Sequence, residues 1–244
     1  MIAARLDGLA PQERRLLQDA SVLGKTFTTE ALAGLTGTQA EQVEPILTAL
    51  VRKEVLSVVA HPRSPERGQF GFLQDLVRTV AYETLPKRER KTKHLAVAAY
   101  FEGARYQEEE MAEVLASHYL DAYTEVPEAD DAPAIKEKAR LMLVRAGERA
   151  ASLAANEEAL RHFEHALDLA DDALDRAELS ERAGRVGWVA GEREAAKRRL
   201  EDAVAGYESL REETRAAGVR AVLGEIAFDE GRLESGIREM EAAY

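Results

Sequence analysis

Gly24-Lys25-Thr26 has the residue types that end a phosphate-binding P-loop, in which a lysine and a hydroxyl residue follow a glycine-rich turn. The full pattern needs another glycine five residues before Gly24, and Asp19 stands at that position. A carboxylate there would repel phosphate, and the segment follows a predicted helix where the motif requires a strand. We therefore expect Lys25 to be a solvated loop residue rather than a nucleotide ligand.

Two histidines and a glutamate in the second half have the spacing of metal ligands on a helix. Glu158, His162 and His165 lie at i, i+4 and i+7, near one helical face, and two imidazoles with one carboxylate could hold zinc. Phe163 and Ala166 mark the buried side of the same helix, so we expect the histidine face to be solvated. The sequence thus predicts no metal ligand here, with a zinc site as the alternative.

A basic segment could contact phosphates or a partner domain. The amphipathic helix that would enter a DNA major groove presents Glu41, Gln42 and Glu44 outward and has no arginine before Arg52. This composition favours docking to protein, with DNA contact or a plain solvated face as the alternatives. The segment and the preceding loop contain these basic residues: Arg63, Arg67, Lys87, Arg88, Arg90, Lys91 and Lys93.

Composition places the chain among water-soluble helical proteins. It has 244 residues, 45% hydrophobic and 32% charged, enough to bury a core and keep a polar surface. No stretch approaches the roughly 20 apolar residues of a membrane helix. Cysteine is absent, which excludes disulfides and thiolate metal sites and fits a cytoplasmic location. No serine/histidine/aspartate set or pair of catalytic carboxylates is evident, so we expect neither enzymatic activity nor a cofactor.

Charge is distributed unevenly along the chain. Residues 1–100 have 14 basic and 11 acidic side chains, whereas residues 101–244 have 19 basic and 34 acidic ones, and the total is −12. The acidic second part should repel nucleic acid, whereas the first part is close to neutral.

Residues 1–85 predict a winged-helix-like domain. A first helix can begin at Pro11 and end at Gly24, and a second covers about 29–35. Thr38 and Glu41 have the spacing of a capping box before a third, amphipathic helix.

The hydrophobic period then changes from 3.6 to 2. Leu56 and Val58 alternate on one segment and Phe70 and Phe72 on another, and the Pro- and Gly-containing loop 61–68 joins them. Three helices followed by a hairpin is the winged-helix order. A further helix over 75–85 and bridging helices over 86–135 follow.

Residues 136–244 predict a TPR-like α-solenoid of three helical hairpins, the third truncated. Four positions recur in register, with small residues at three of them, which would let two helices approach to about 8–10 Å. Each hairpin should leave an apolar face for the next to cover, and the chain stops before a polar cap, so we expect the solenoid to continue in a longer protein. A three-helix bundle is the alternative. Gly191 and Gly231 should mark the turns within the second and third hairpins, and Asn156 the turn within the first. The recurring residues are Gly147, Ala159, Phe163 and Ala166; Gly184, Ala196, Leu200 and Ala203; Gly224, Gly236, Met240 and Ala243.

Residues 69–101 contain a pattern that resembles a known family. The sequence is similar to the stretch after the ATPase module in signal-transduction ATPases with numerous domains, roughly F-x-F-x-H-D-x-x-R-x-x-A-Y-x-x-L and then R-x-x-x-H. Gln74 stands where that family often has histidine, and residues 6–24 resemble the family's winged-helix opening. The matching residues are Phe70, Phe72, Asp75, Arg78, Ala81, Tyr82, Leu85, Arg90 and His94.

Two further segments, residues 112–119 and 145–150, look most like actinobacterial adenylate/guanylate cyclase-type regulators. The resemblance implies a non-catalytic regulatory segment of a larger signalling protein, with an ATPase and possibly a cyclase elsewhere in it. The repeat register and the lack of catalytic groups predict two kinds of partner, which are other domains of the same parent chain and an unknown protein or peptide in the repeat groove. The alternative is the sensing arm of a transcription regulator whose winged helix contacts DNA.

Overall fold

The computed structural model describes residues 6, 8–59, 68–103 and 108–243. Within these ranges the chain is mainly helical, with twelve helices and one small antiparallel sheet. The chain divides into two compact units: unit 1 comprises 1–107 and 117–135, and unit 2 comprises 108–116 and 136–244. The main segment of unit 2 therefore starts where the repeats are predicted to start, and most of the predicted bridging segment belongs to unit 1.

Unit 1 has the order of three helices and a β-hairpin that the sequence predicts. Three helices come first and the hairpin strands follow. A short helix, a longer one and the second half of a third then complete the unit. The elements are α1 (Pro11–Leu23), β1 (Thr26–Phe27), α2 (Thr29–Thr36), α3 (Ala40–Arg52), β2 (Leu56–Val58), β3 (Phe70–Phe72), α4 (Asp75–Glu83), α5 (Lys87–Gly103) and α6 (Glu108–Glu125).

The sheet confirms the hairpin and adds one strand. β2 and β3 are antiparallel, with Val58 opposite Phe70 and Leu56 opposite Phe72, the four residues of the predicted alternation. The extra strand β1 pairs with the other edge of β3, giving the order β1-β3-β2. A two-residue strand is too short for a period of 2 to be visible in the sequence, so β1 was not predicted.

The core of unit 1 lies between the first three helices and the inner face of the sheet. Leu17, Leu32 and Leu47 are fully buried there, and Phe72 from β3 packs against the same cluster. At the start of α1 the Glu13 carboxylate accepts the backbone N–H of Ala10 at 2.8 Å, which satisfies a donor that the helix leaves unpaired.

The predicted capping box at α3 is wrong. The helix starts at Ala40 with Gln39 as its N-cap, so Thr38 lies one residue too early to cap it. The Thr38 hydroxyl instead shares a 2.6 Å hydrogen bond with the hydroxyl of Thr36 at the end of α2. Gly37, in the left-handed conformation with φ 65°, ends α2 and leaves only two residues before α3.

Unit 2 consists of consecutive antiparallel helices in which neighbours pack as pairs, as a TPR-like solenoid requires. Its large buried side chains include Leu200, Val219, Tyr207 and Phe163. None of the helices in the described ranges combines the length and apolar character needed to cross a bilayer. The elements are α7 (Ala132–Ser152), α8 (Asn156–Leu169), α9 (Ala173–Ala190), α10 (Arg193–Ser209), α11 (Glu213–Asp229) and α12 (Leu233–Ala242).

Candidate functional site

Glycines let the two helices of each repeat approach closely. A Cβ atom on Gly147 of α7 would lie 2.7 Å from Cε1 of Phe163, and one on Gly184 of α9 would lie 2.7 Å from Cγ of Leu200. Such distances are shorter than van der Waals contact, so a larger residue would push the helices apart. The large residue of each repeat therefore fills the space opposite its glycine.

The third hairpin has a looser version of the same contact. A Cβ on Gly224 of α11 would lie 3.0 Å from Cγ of Met240, and one on Gly236 of α12 would lie 2.9 Å from Cδ1 of Phe228. Met240 and Ala243 are only partly buried. The remaining small residues of the pattern are buried in the first two hairpins: Ala159, Ala166, Ala196 and Ala203.

The turns within the hairpins differ in one respect from expectation. Gly191 and Gly231 occupy the second and third turns with φ of 92° and 76°. In the first turn the left-handed residue is Ala154, with φ 58°, whereas Asn156 is already the first residue of α8. Asn156 was expected to mark this turn because asparagine tolerates positive φ, but the turn forms two residues earlier.

An open cleft of about 380 Å³ lies where α9, α10 and α11 meet in unit 2. Its walls are mostly charged, with one aromatic ring and one glycine. Gly218 on α11 has no atom within 4 Å of the position that a Cβ would take, so it faces open space. The lining residues are Glu178, Glu181, Arg182, Arg185, Tyr207, Arg215 and Gly218.

Tyr207 is the fixed part of this cleft. The residue is 1% exposed, and its hydroxyl donates to Oε2 of Glu181 at 2.9 Å. Burial, followed by the neighbouring carboxylate, raises the pKa of Tyr207 to about 12, so the hydroxyl remains a donor. The guanidinium of Arg215 lies 5.7 Å from the centre of the ring, within reach of a cation–π contact.

Ion pairs position the arginines of the cleft. Arg215 of α11 pairs with Glu178 of α9, and Arg185 pairs with Glu181 at 2.8 Å on α9 itself. The side chain of Arg215 is 45% exposed and that of Arg185 is 47% exposed, so water or a ligand can exchange with both pairs. Exposed ion pairs contribute little stability, and a partner can replace them at small cost. The cleft is therefore suited to recognising a polar, extended segment.

The basic segment is largely engaged within unit 1. Nη1 of Arg90 binds Oε1 of Glu125 at 2.8 Å, Lys91 pairs with Asp131, and Lys93 pairs with the buried Asp19. Lys87 and Arg88 are exposed at the start of α5. Arg63 and Arg67 lie outside the described residues.

The P-loop-like segment leads into a strand, and only two of the three possible zinc ligands of the second half lie close together. Lys25 pairs with the exposed Asp75 at 3.4 Å, and Thr26 begins β1 rather than a phosphate-binding helix. His162 lies 4.0 Å from Glu158, and Glu113 of α6 lies close to both within unit 2. His165 is exposed and does not join this group.

Unit 1 contains a buried polar network that the sequence did not predict. The hydroxyl of Tyr82 donates to Oε1 of Glu125 at 3.1 Å and lies 2.9 Å from Nε2 of His94. Nδ1 of His94 in turn lies 2.9 Å from Nδ1 of His118, and both imidazoles are buried. Arg90 and His94 are the two residues of the R-x-x-x-H pattern, which the sequence already singled out. Their partners Glu125 and His118 lie on α6, and no sequence pattern connects α6 with α5.

No protein-family model and no curated protein matches the chain. Among solved structures it is similar to BtubC (BKLC) from P. vanneervenii, with a TM-score of 0.41 and 14% identity over 96% of this chain and 90% of that one. It is also similar to a Signal Transduction ATPase with Numerous Domains protein with a tetratricopeptide repeat sensor from Pyrococcus horikoshii, with a TM-score of 0.31 and 14% identity. That match covers 98% of this chain and 44% of the other. Both likenesses are distant, and the architecture rests on the packing of this chain's own helices.

Proposed function

We propose that this chain is a non-catalytic regulatory segment that binds a protein partner through the cleft between α9 and α11. The observation that carries the proposal is the cleft itself, which is open at Gly218 and lined by exchangeable ion pairs around a fixed tyrosine. Arginine is among the residues enriched where protein partners bind, and Arg182, Arg185 and Arg215 line the cleft. The partner would be an extended segment of another protein or of another domain of the parent chain.

The proposal also covers the kind of protein to which this segment belongs. The resemblance of residues 69–101 to signal-transduction ATPases, and of residues 112–119 to cyclase-type regulators, supports a multidomain cytoplasmic signalling protein. In such a protein this segment would transmit partner binding to an ATPase or cyclase domain elsewhere, without a cofactor of its own. ATP turnover by the isolated, purified chain would contradict this assignment.

The test is selection of peptides from a random library displayed on phage, with the full 244-residue chain as the target. Affinities of the selected peptides would then be measured by fluorescence anisotropy for the wild type and for Gly218→Phe. The new ring would occupy the open space of the cleft without meeting an atom of the fold at its Cβ position. We expect Gly218→Phe to weaken binding at least about 10-fold, the loss of one buried side-chain contact of about 1.4 kcal/mol.

Asp168→Phe, at an exposed position of α8, is the matched control because it adds the same ring away from the cleft. This variant should bind the selected peptides like the wild type. If Gly218→Phe also binds like the wild type, the cleft is not the recognition site and the proposal fails.

DNA contact is the competing function, and the structure supplies the surface that it would use. Along α3 the exposed residues Glu41, Glu44 and Arg52 face away from the core. Labelled duplex DNA should give a flat anisotropy titration with the chain at physiological salt. Binding that weakens steeply as salt increases would instead support a transcription regulator.

A further inference from the structure

Three potential metal ligands meet where α5 approaches the second half of α6 in unit 1. His94 comes from α5, while His118 and Asp121 lie at i and i+3 on α6 and so share a face. The Nδ1 atoms of the two histidines are 2.9 Å apart, and Nδ1 of His94 is 3.7 Å from Oδ2 of Asp121. Ligand atoms about 2.0–2.1 Å from a tetrahedral zinc ion lie about 3.3 Å apart, between these two distances. We propose that His94, His118 and Asp121 bind a divalent transition-metal ion of the zinc type.

The hydrogen bonds around His94 leave its Nδ1 lone pair available. The Tyr82 hydroxyl donates its proton to Oε1 of Glu125, which also accepts from Nη1 of Arg90 at 2.8 Å. The oxygen of Tyr82 must then accept from Nε2–H of His94, so Nδ1 of His94 carries no proton. A histidine whose second nitrogen donates to a fixed partner is the usual arrangement of a metal ligand, because the partner holds the ring and its tautomer.

The protonation states of the two imidazoles also suit a metal ion. Burial lowers the pKa of His94 to about 3, helped by His118 and the charge of Arg90, and burial lowers that of His118 to about 4. Both rings are therefore neutral at physiological pH, and protons do not compete with the ion. In the metal-free chain Nδ1–H of His118 donates to Nδ1 of His94. On binding, that proton moves to Nε2 of His118, and both lone pairs face the ion.

Asp121 provides a negatively charged ligand and lies at the solvent-exposed side of the site. Its side chain is 50% exposed, whereas those of the two histidines are buried, so an ion can reach the pair from solvent past this carboxylate. Two imidazoles and one carboxylate form a sufficient zinc set that leaves a fourth position for water. Two arginines lie near the site, and both have other partners. Arg90 pairs with Glu125. Arg78, whose charge partly offsets the rise that burial causes in the pKa of Asp121, donates from Nη1 to the backbone oxygen of Ser21 at 3.3 Å.

The experiment uses the full chain without an affinity tag, stripped with a chelator and titrated with Zn²⁺ by calorimetry and with Co²⁺ by visible absorption. We expect one ion per chain and the d–d absorption bands of Co²⁺ in a low-symmetry site. Asp121→Ala, at a half-exposed position that the fold tolerates, should weaken Zn²⁺ binding at least about 10-fold. Tyr82→Phe, which removes the acceptor of His94, should weaken it by about 10–100-fold.

His162→Ala is the matched control because it removes a histidine from the other group of possible ligands, in unit 2. This variant should bind Zn²⁺ like the wild type. His118→Gln, checked for folding by circular dichroism, should lose the Co²⁺ bands. The proposal is overturned if the wild type shows no saturable binding, if Asp121→Ala binds as tightly as the wild type, or if His162→Ala abolishes binding.

Discussion

At the scale of single residues, glycine has two opposite roles in unit 2. Gly184 lies at a helix crossing, where a Cβ would lie 2.7 Å from Leu200 and 3.0 Å from the backbone oxygen of Ala196. Gly218 lies at the cleft with nothing within 4 Å. Packing therefore requires glycine at position 184. At position 218 the glycine leaves open space in the cleft, which a side chain of a bound partner can occupy.

These roles predict opposite effects of the same substitution. Gly184→Ala should lower the free energy of unfolding by about 1–3 kcal/mol, since backbone and Leu200 must both move. Gly218→Ala should raise it by up to about 1 kcal/mol, because alanine favours the helix. Urea denaturation of both variants measures the two shifts. Equal stability of Gly184→Ala and the wild type would show that the repeat register is wrong.

The buried histidines predict that acid destabilises the metal-free chain. In the unfolded chain both imidazoles take up protons below about pH 6.5, whereas the folded chain keeps them neutral, with pKa values of about 3 and about 4. The unfolded state therefore binds more protons, and stability falls as the pH decreases from about 6.5 towards about 4. Asp121, whose pKa is raised by burial, acts in the opposite direction at the acidic end.

Thermal melts at about pH 7 and about pH 5 in the presence of a chelator measure this effect. The wild type should lose more stability over this interval than His118→Gln, which has one titrating imidazole fewer. His165→Gln, at an exposed position, should follow the wild type. A pH dependence identical in all three proteins would mean that the buried pair does not titrate as described.

At the scale of elements, one threonine caps a helix and another of the same type does not. The hydroxyl of Thr28 accepts the N–H of Ala31 at 3.1 Å at the start of α2. Thr38, predicted to cap α3, bonds to Thr36 instead. Both threonines stand just before a helix, so the residue type alone does not separate a helix cap from a residue in the preceding turn.

Alanine substitutions at Thr28 and Thr38 compare a capping threonine with one that does not cap a helix. Thr28→Ala should lower the free energy of unfolding by about 1 kcal/mol, the usual contribution of an N-cap hydroxyl. Thr38→Ala should change it by less than about 0.5 kcal/mol, as expected at an exposed surface position. A larger loss at Thr38 than at Thr28 would contradict the start of α3 at Ala40.

Elements with a strong period were predictable, and contacts between elements were not. The alternation of Leu56, Val58, Phe70 and Phe72 identified the hairpin, and the spacing of Gly184 and Leu200 identified the repeats. The cleft and the histidine pair each draw their residues from different helices, and no hydrophobic period connects a position on one helix to a position on the next. His94 and His118 meet only because α5 and α6 approach each other, a fact of tertiary packing.

At the scale of the whole molecule, the second part of the chain has a strongly acidic surface. Residues 101–244 carry 19 basic and 34 acidic side chains, and the arginines Arg185 and Arg215 of the cleft are already paired with glutamates. The long-range field around residues 101–244 therefore attracts positive charge.

Peptides selected on the full chain should consequently be rich in lysine and arginine. Their association rates, followed by stopped-flow fluorescence, should fall as salt is raised from about 0.05 M to about 0.5 M, because ions screen the attraction. Peptides that are mainly acidic, or rates independent of salt, would show that the surface field does not guide recognition.

The most direct test of partner recognition is hydrogen–deuterium exchange of the full chain with and without a selected peptide. Binding in the cleft predicts slower exchange in the segments of α9 and α11 that contain Glu178, Arg185 and Gly218. Unit 1 should be unchanged, and Gly218→Phe should show clearly less protection at the same peptide concentration. Protection confined to α3 or to the hairpin of unit 1 would contradict the assignment of the cleft as the recognition site.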